Sequence, residues 1–198
     1  MNKVKVTIKA NNGKTATLAF PMNRDEFKSA MCNLVGDTPG IYWWFDEFLI
    51  FSRIEGRCLM RGKNLAELNL YGEYISKMDD DDLGMYVFLL DAFDKNVTSV
   101  CDLINISANI ENYCFVKNIN SYLDLGRYLA EHDSDFADLN DKALRSLGKK
   151  YVKQNQGKIH GGYYIQRCPK SWKTVYNGNP NMIPEQYQLC SDTNEGGN

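Results

Sequence analysis

The chain begins with two short segments in which apolar and polar residues alternate. Residues 4–8 and 16–20 each place an apolar side chain at every second position, and the sequence Asn11-Asn12-Gly13 lies between them. A period of two is typical of a strand that buries one face, and an Asn-Gly pair favours a tight turn. The pattern therefore predicts a β-hairpin. Its buried positions would be Val4, Val6, Ile8, Ala16, Leu18 and Phe20.

The segments that follow predict an amino-terminal α+β region. Asn23 with Glu26 is typical of a capping box, and apolar residues continue from there at helical spacing as far as Gly36. We therefore expect a short amphipathic helix. The next two segments, IYWWFDEFLIF (41–51) and RIEGRCLM (53–60), are rich in aromatic and apolar residues and predict one or two strands.

From residue 64 onward the apolar spacing becomes helical. Asn64 with Glu67 opens one helix, and the run KMDDDDLGMYVFLLDAFD (77–94) predicts another. In that second helix one aspartate would cap the amino terminus and one or two more would interact with the helix dipole. Because its apolar residues cover most faces, we expect it to be largely buried.

The remaining elements are short. Ser99 with Asp102 predicts a helix, residues 113–116 a strand and residues 122–132 a further helix. After about residue 169 the chain is rich in Asn, Gly, Pro and Ser, which predicts a loosely ordered tail. The fold class predicted from these patterns is α+β.

Charged residues divide the chain into three segments. Residues 1–63 contain 10 Lys and Arg against 6 Asp and Glu, residues 64–141 contain 4 against 16, and residues 142–198 contain 9 against 3. We interpret these segments as an amino-terminal α+β domain, an acidic helical central domain and a basic carboxy-terminal region that ends in the loose tail. Charge segregation of this kind bears on partners rather than on the fold.

No spacing in the sequence is typical of a catalytic or cofactor site. His132 and His160 are not placed beside a nucleophile by any motif, and the glycine-rich segment 56–64 lacks the spacing and the Ser or Thr of a phosphate-binding loop. Consecutive aspartates point in divergent directions, unlike the ligands of a calcium loop. We expect no enzymatic activity, no metal and no cofactor; a hydrolase with scattered carboxylates stays an alternative.

Cysteine usage and hydropathy favour a cytoplasmic protein. The cysteines form no CxxC pair, so we expect them to be reduced and mostly buried. No run approaches the roughly 18 apolar residues of a membrane span. The alternating start also differs from the continuous apolar core of a signal peptide. The cysteines are Cys32, Cys58, Cys101, Cys114, Cys168 and Cys190.

The acidic central segment is the strongest candidate for a binding surface. With only four Lys and Arg, it should repel DNA and attract proteins that bind DNA. Its 16 carboxylates, arrayed on one ridge, would match the phosphate charge of roughly 27 Å of duplex. An acidic face kept for solubility is the alternative. The predicted partner-binding acids are Asp79, Asp80, Asp81, Asp82, Asp91, Asp94, Asp102, Glu111, Asp124, Glu131, Asp133, Asp135, Asp138 and Asp141.

The order of motifs in this segment resembles the ArdA family of antirestriction proteins, which occur on plasmids and conjugative transposons. The resemblance covers about residues 64–135 and begins with a helix, LAELNLYGEYISKM (65–78), that is similar to a family motif. The motifs that continue it are Leu89-Leu90-Asp91-Ala92-Phe93, Asp102-Leu103-Ile104, Tyr113-Cys114-Phe115, and Asp124-Leu125-Gly126-Arg127-Tyr128 leading to Glu131.

Several expectations follow from this resemblance rather than from the residue patterns. ArdA proteins mimic bent duplex DNA and occupy Type I restriction-modification enzymes. The resemblance implies that the partner is the DNA-recognition subunit of such an enzyme and that the acids stand in for phosphates. It also implies an elongated chain of small α/β modules and a homodimer.

The basic carboxy-terminal region supports a second hypothesis. Where ArdA proteins are expected to be acidic and rich in tyrosine, this chain has ALRSLGKKYVKQNQGK (143–158). A regulatory or scaffolding protein of a mobile element could bind nucleic acid through this region, and elsewhere we expect no direct DNA binding. A solvated helix flank is the alternative. The predicted contacts are Lys142, Arg145, Lys149, Lys150 and Lys153.

Overall fold

The protein is described by a computed structural model over residues 4–36, 41–61, 64–136, 138–168 and 171–189. Within these ranges it is a mixed α/β fold with seven α-helices and two three-stranded antiparallel sheets. None of these helices is long and apolar enough to cross a membrane. The strands are β1 (Val4–Ala10), β2 (Thr15–Phe20), β3 (Trp43–Leu49), β4 (Tyr113–Lys117), β5 (Lys158–His160) and β6 (Tyr163–Arg167). The helices are α1 (Arg24–Val35), α2 (Arg53–Arg61), α3 (Leu65–Ser76), α4 (Asp80–Ala92), α5 (Val100–Ser107), α6 (Tyr122–His132) and α7 (Asp141–Gln154).

The chain divides into two compact units. Residues 1–108 together with 174–198 form the first unit, and residues 109–173 form the second. The division at residues 63 and 141, which was drawn from charge, stays a prediction.

The predicted hairpin is confirmed and forms part of the first sheet. β1 pairs with β2 on one side and with β3 on the other, so the strand order is β2-β1-β3. The apolar positions of the hairpin point to one face of the sheet, and α1 and α3 contact that part of the unit. A Cβ on Gly72 of α3 would lie 2.6 Å from the Phe20 backbone, which shows how closely this helix approaches β2.

The prediction of strand structure for RIEGRCLM is wrong, because these residues form α2. Glu55, Cys58 and Leu59 are buried, and the last two follow Glu55 by three and four residues, which is helical spacing. The Glu55 side chain accepts a hydrogen bond from the Ser52 amide at 2.7 Å and so satisfies a backbone donor at the start of the helix. The preceding aromatic segment contains only one strand, β3, among its described residues.

The helix starts predicted from polar residues are confirmed. Asn23 and Glu26 form a reciprocal capping box at α1, and Ser99 with Asp102 forms another at α5. Asn64 caps α3 by accepting hydrogen bonds from two amides of its first turn. Each cap satisfies donors that have no partner within the helix.

Residues 174–189 belong to the first unit and pack against it, although the composition of this segment predicts a loose tail. Tyr176, Ile183 and Leu189 are buried, and the Tyr176 hydroxyl donates to Glu67 at 2.6 Å. The Asn105 side chain accepts from the Val175 amide at 2.9 Å. These contacts hold the segment in place; residues 190–198, including Cys190, lie outside the described residues.

The second unit packs two helices on a small sheet. Its strand order is β4-β6-β5, and β4 corresponds to the strand predicted at 113–116. The core contains Ile119, Leu125 and Tyr164. α6 and α7 pack at close range because Gly126 and Gly148 have no side chains to separate them.

The prediction that the cysteines are reduced is wrong for one pair, since Cys114 and Cys168 form a disulfide. Cys114 lies opposite Gln166 in the pairing of β4 with β6, so its partner follows two residues later, with the two Cα atoms 6.1 Å apart. Because the two cysteines are 54 residues apart in the sequence, their proximity could not be inferred from spacing. Among the free cysteines, Cys58 is buried and Cys32 is exposed.

Candidate partner-binding surfaces

The first acidic surface lies at the amino terminus of α4. Asp79 is the N-cap, and its side chain accepts a hydrogen bond from the Asp82 amide at 2.8 Å. Asp80, Asp81 and Asp82 form the first helical turn and are exposed. Within the described ranges no hydrogen bond or ion pair engages their three carboxylates. We call these three residues the α4 acidic turn; its negative charge faces solvent.

Packing along the rest of α4 holds this turn in place. Tyr86, Leu89 and Leu90 are fully buried. The sequence predicts that most faces of α4 are buried. This is confirmed only in part, because Met85 is 37% exposed and the first turn of the helix is exposed to solvent. The helix dipole favours acids at this end by about 0.3–1 kcal/mol each, which offsets their mutual repulsion.

The other predicted acids of the first unit have mixed surroundings. Asp91 is exposed, whereas Asp94 and Asp102 are half-buried. Oδ2 of Asp102 accepts hydrogen bonds from the amides and hydroxyls of Thr98 and Ser99, at 2.9 to 3.1 Å. Asp102 is therefore occupied in capping α5, and we assign it a structural role in addition to its charge.

The second unit contains the other seven predicted acids. All of them are exposed except Asp124, which is half-buried. The Asp133 side chain accepts a hydrogen bond from the Asp135 amide at 3.1 Å. Four further carboxylates have no hydrogen bond or ion pair within the part of the chain that the structure describes; they are Glu111, Glu131, Asp135 and Asp138.

Two acids of the second unit have clear structural partners. Hydrogen bonds from Ser121 and from the Asn120 amide, the latter at 3.1 Å, stabilise the charged form of Asp124 and lower its pKa. Asp141 forms an ion pair with Arg127 at 3.1 Å, which links the start of α7 to α6. Exposed pairs of this kind contribute little to stability. These two acids are less available to a partner than the solvated ones.

A basic surface lies in the same unit, on α7. Its five predicted cations are all exposed, and Leu144 and Gly148 are buried on the opposite side of the helix. No ion pair within the described residues involves any of the five. We call them the α7 basic face; they are Lys142, Arg145, Lys149, Lys150 and Lys153.

The acids that form one block in the sequence are shared between the two units. The first unit contains 18 Asp and Glu against 12 Lys and Arg, and the second contains 7 against 11. The acidic character therefore belongs to the first unit as a whole. In the second unit the acids occur within a chain segment of net positive charge.

Sequence patterns gave no indication of a buried polar cluster in the first unit. Glu55 of α2 is fully buried and accepts a hydrogen bond from the Tyr71 hydroxyl, which lies 2.8 Å from the Tyr86 hydroxyl. Burial raises the pKa of Glu55, and it raises those of both tyrosines well above their ordinary value. Because all three side chains are shielded from solvent, we assign the cluster to joining α2, α3 and α4.

Comparisons with known proteins add no assignment. The sequence matches no protein-family model, and it matches no curated protein. The resemblance to the ArdA family stays a prediction from the sequence motifs of residues 64–135. Within the described ranges, no three His, Cys, Asp or Glu residues come together in a way that could hold a metal ion.

Proposed function

We propose that the chain is an antirestriction protein of a mobile genetic element and acts as a DNA mimic. The observation that carries the proposal is the α4 acidic turn, with three exposed carboxylates that have no partner within the described residues, at the end of a well-packed helix. A groove that accepts DNA is lined with Lys and Arg at positions suited to phosphates, and fixed carboxylates can occupy the same positions.

The proposed partner is the DNA-recognition subunit of a Type I restriction-modification enzyme. Binding would exclude the DNA of that enzyme without any chemical step, so the proposal includes no catalytic residue and no cofactor. A cytoplasmic location is a further part of the proposal and rests on the hydropathy of the sequence. An elongated arrangement of small modules and a homodimer also belong to the proposal and rest on the resemblance to ArdA proteins. Affinity should fall steeply with salt, because the association depends on screened charge.

The test is protection of unmodified phage DNA in cells that carry a Type I system. We expect the wild-type chain to protect and the triple variant Asp80→Asn, Asp81→Asn, Asp82→Asn to protect much less. Asp79 is retained in this variant so that the cap of α4 stays intact. Direct binding to the purified recognition subunit at two salt concentrations provides a second measurement.

A control variant changes the net charge by the same amount as the α4 triple variant but at other positions. The triple variant Asp25→Asn, Asp46→Asn, Glu185→Gln removes three exposed acids of the same unit that are outside the predicted set. It should retain protection. Absence of protection by the wild-type chain against several Type I systems would refute the proposal, and equal protection by both triple variants would refute the role of the α4 acidic turn.

The α7 basic face supports a second candidate function, binding of nucleic acid by a regulatory or scaffolding protein. Its five cations are exposed and lack ion-pair partners within the described chain, as phosphate contacts require. A gel shift with duplex DNA at low and moderate salt tests it. Salt-sensitive binding that is lost in Lys142→Gln, Arg145→Gln, Lys149→Gln would support this candidate, and the absence of any shift would exclude it.

A further inference from the structure

An exposed aromatic pair lies on the outer face of the first sheet. Tyr42 is 62% exposed and Trp44 is 40% exposed, and their ring centroids are 6.1 Å apart. Their neighbours Trp43 and Phe45 are half-buried and form a separate edge-to-face pair. Because side chains alternate across a strand, Trp44 lies on the opposite side of the sheet from Phe45.

The register of the sheet shows what surrounds this pair. Trp44 pairs with Lys9 of β1, and Phe45 pairs with the fully buried Ile8. The outer face therefore carries the alternate residues of β1, which are Lys5, Thr7 and Lys9. On β2 it carries Thr15 and Thr17, opposite Lys9 and Thr7. Apart from the aromatic rings and from Ala19 and Leu49, which pair with Lys5, the positions on this face are polar.

Two cations of the outer face are available to bind an anion. Lys5 and Lys9 are separated by roughly 13 Å along β1, and neither forms an ion pair with another described residue. Glu47, which pairs with Thr7, shares the face, and the exposed Asp46 lies next to it where the register between β1 and β3 shifts. Two cations beside two exposed rings provide both a phosphate contact and a surface for stacking.

We propose that the outer face of the first sheet binds single-stranded nucleic acid. One base stacks on Trp44 and a neighbouring base on Tyr42, while Lys9 and Lys5 contact phosphates. A single strand fits better than a duplex, because the flat faces of the bases are covered by their neighbours in a duplex. This site is distinct from the α4 acidic turn and from the α7 basic face. It goes beyond the proposed function, and it departs from the expectation that direct DNA binding is confined to the basic carboxy-terminal region.

The chemistry of the face argues against other occupants. A second copy of the chain would need a broad apolar area to form a stable dimer, whereas the threonines and lysines around the rings leave only a small one. A duplex would contact the lysines but leave the rings unused. Association of copies and binding of duplex are therefore outcomes that the test must separate.

The test uses the full chain and a fluorescently labelled oligothymidine of about 12 nucleotides, which spans the site sizes known for such surfaces. Anisotropy at about 50 and 200 mM salt gives the affinity and its salt dependence. We expect Trp44→Ala to weaken binding roughly 5- to 150-fold, the range typical of one lost base stack. Lys9→Gln should lower the salt slope by roughly 0.7, the value of one phosphate contact on a single strand.

Three controls keep the result specific. Trp44→Phe retains a stacking ring and should keep most of the affinity, which separates stacking from misfolding. Glu47→Gln removes an acid opposite Thr7 on the face and should strengthen binding. In a chain that also carries Lys142→Gln, Arg145→Gln, Lys149→Gln, which removes the α7 contacts, binding should persist and Trp44→Ala should weaken it as it does in the wild type.

Several results would overturn the proposal. These are an affinity of Trp44→Ala equal to that of the wild type, equal affinity for duplex and single strand, no binding at low salt, or loss of binding in the α7 variant. A change in oligomeric state on Trp44→Ala without any oligothymidine binding by the wild type would assign the face to self-association instead.

Discussion

The close contact between α6 and α7 predicts that glycine-to-alanine substitutions at this contact destabilise the protein. The same substitution at an exposed position of α4 should stabilise it. A Cβ on Gly126 would lie 2.0 Å from the Leu144 carbonyl oxygen, and a Cβ on Gly148 would lie 2.0 Å from that of Tyr122. Both obstacles are backbone atoms, which cannot rotate away. We therefore expect Gly126→Ala and Gly148→Ala to destabilise the second unit, although alanine is the better helix former.

The magnitude follows from the distances. Non-bonded atoms of this kind make favourable contact at roughly 3.5 Å, so the helices would have to separate by roughly 1.5 Å. Overpacking of a well-packed core typically costs about 1–3 kcal/mol, and a rigid backbone obstacle belongs at the upper end. The helix propensity of alanine offsets about 1 kcal/mol. The net loss in the free energy of unfolding should be about 2 kcal/mol for each substitution.

The double variant should lose less than the sum of the two single losses. Once one methyl group has moved the helices apart, the second finds part of its space already open. Neighbouring substitutions that share a backbone shift are expected to couple in this way. Urea denaturation of the full chain and hydrogen exchange over residues 122–154 measure the losses and locate them in the second unit.

Gly84 of α4 provides the matched control. It is exposed in the middle of a helix, and no atom lies within 4 Å of a Cβ placed there. Gly84→Ala should therefore stabilise its unit by about 1 kcal/mol. If Gly126→Ala and Gly148→Ala also stabilise the protein, α6 and α7 are not in contact at these glycines and the reasoning fails.

Two further predictions concern the buried glutamate and the disulfide. Because burial raises the pKa of Glu55 above its ordinary value of 4.5, its contribution to stability is fully present below that value and is lost as pH rises through the folded-state pKa. Glu55→Gln cannot titrate, so its free energy of unfolding should increase relative to wild type as pH rises above 4.5; a difference that does not change with pH would contradict this. The Cys114–Cys168 bond closes a loop between residues 54 positions apart, so its loss should lower the stability of the second unit by up to about 4 kcal/mol. A reducing agent should reproduce this loss in the wild type but have no effect on Cys114→Ser, Cys168→Ser, and an equal response of both proteins would exclude the bond as the cause.

Local sequence signals predicted the start of most helices because the physics of a cap is local. Asn23 and Ser99 each satisfy backbone donors within three residues of themselves, so the relevant chemistry is visible in a short window. The hairpin was predictable for the same reason, since one face of β1 and β2 is apolar at every second position. These features need no knowledge of distant residues.

The predictions that failed depended on distant residues. The segment that forms α2 was predicted as a strand from its apolar content. The burial of its Glu55 depends on the hydroxyl of the distant Tyr71 as well as on the nearby Ser52 amide. Residues 174–189 looked loose, but Asn105 and Glu67 bind them from far along the chain. The partner of Cys114 became clear only when β4 was paired with β6.

The candidate surfaces were predicted in composition but not in arrangement. The sequence placed the acids in one segment and the cations of α7 in another, and most of these residues are exposed. It could not show that seven of the acids share a unit with the α7 basic face. Unit boundaries follow tertiary contacts, whereas charge counts follow the chain.

The α4 acidic turn needs an explanation beyond the stability of its helix. Asp79 alone provides the cap, and the three acids after it have no partner within the described residues. Neighbouring exposed carboxylates repel by roughly 0.7 kcal/mol per pair in water, while the helix dipole favours each acid of the first turn by about 0.3–1 kcal/mol. Since these contributions nearly cancel, replacing the three acids by asparagine should hardly change folding. The turn can therefore be varied independently of the fold, and any loss of protection in the triple variant is attributable to lost charge at the surface.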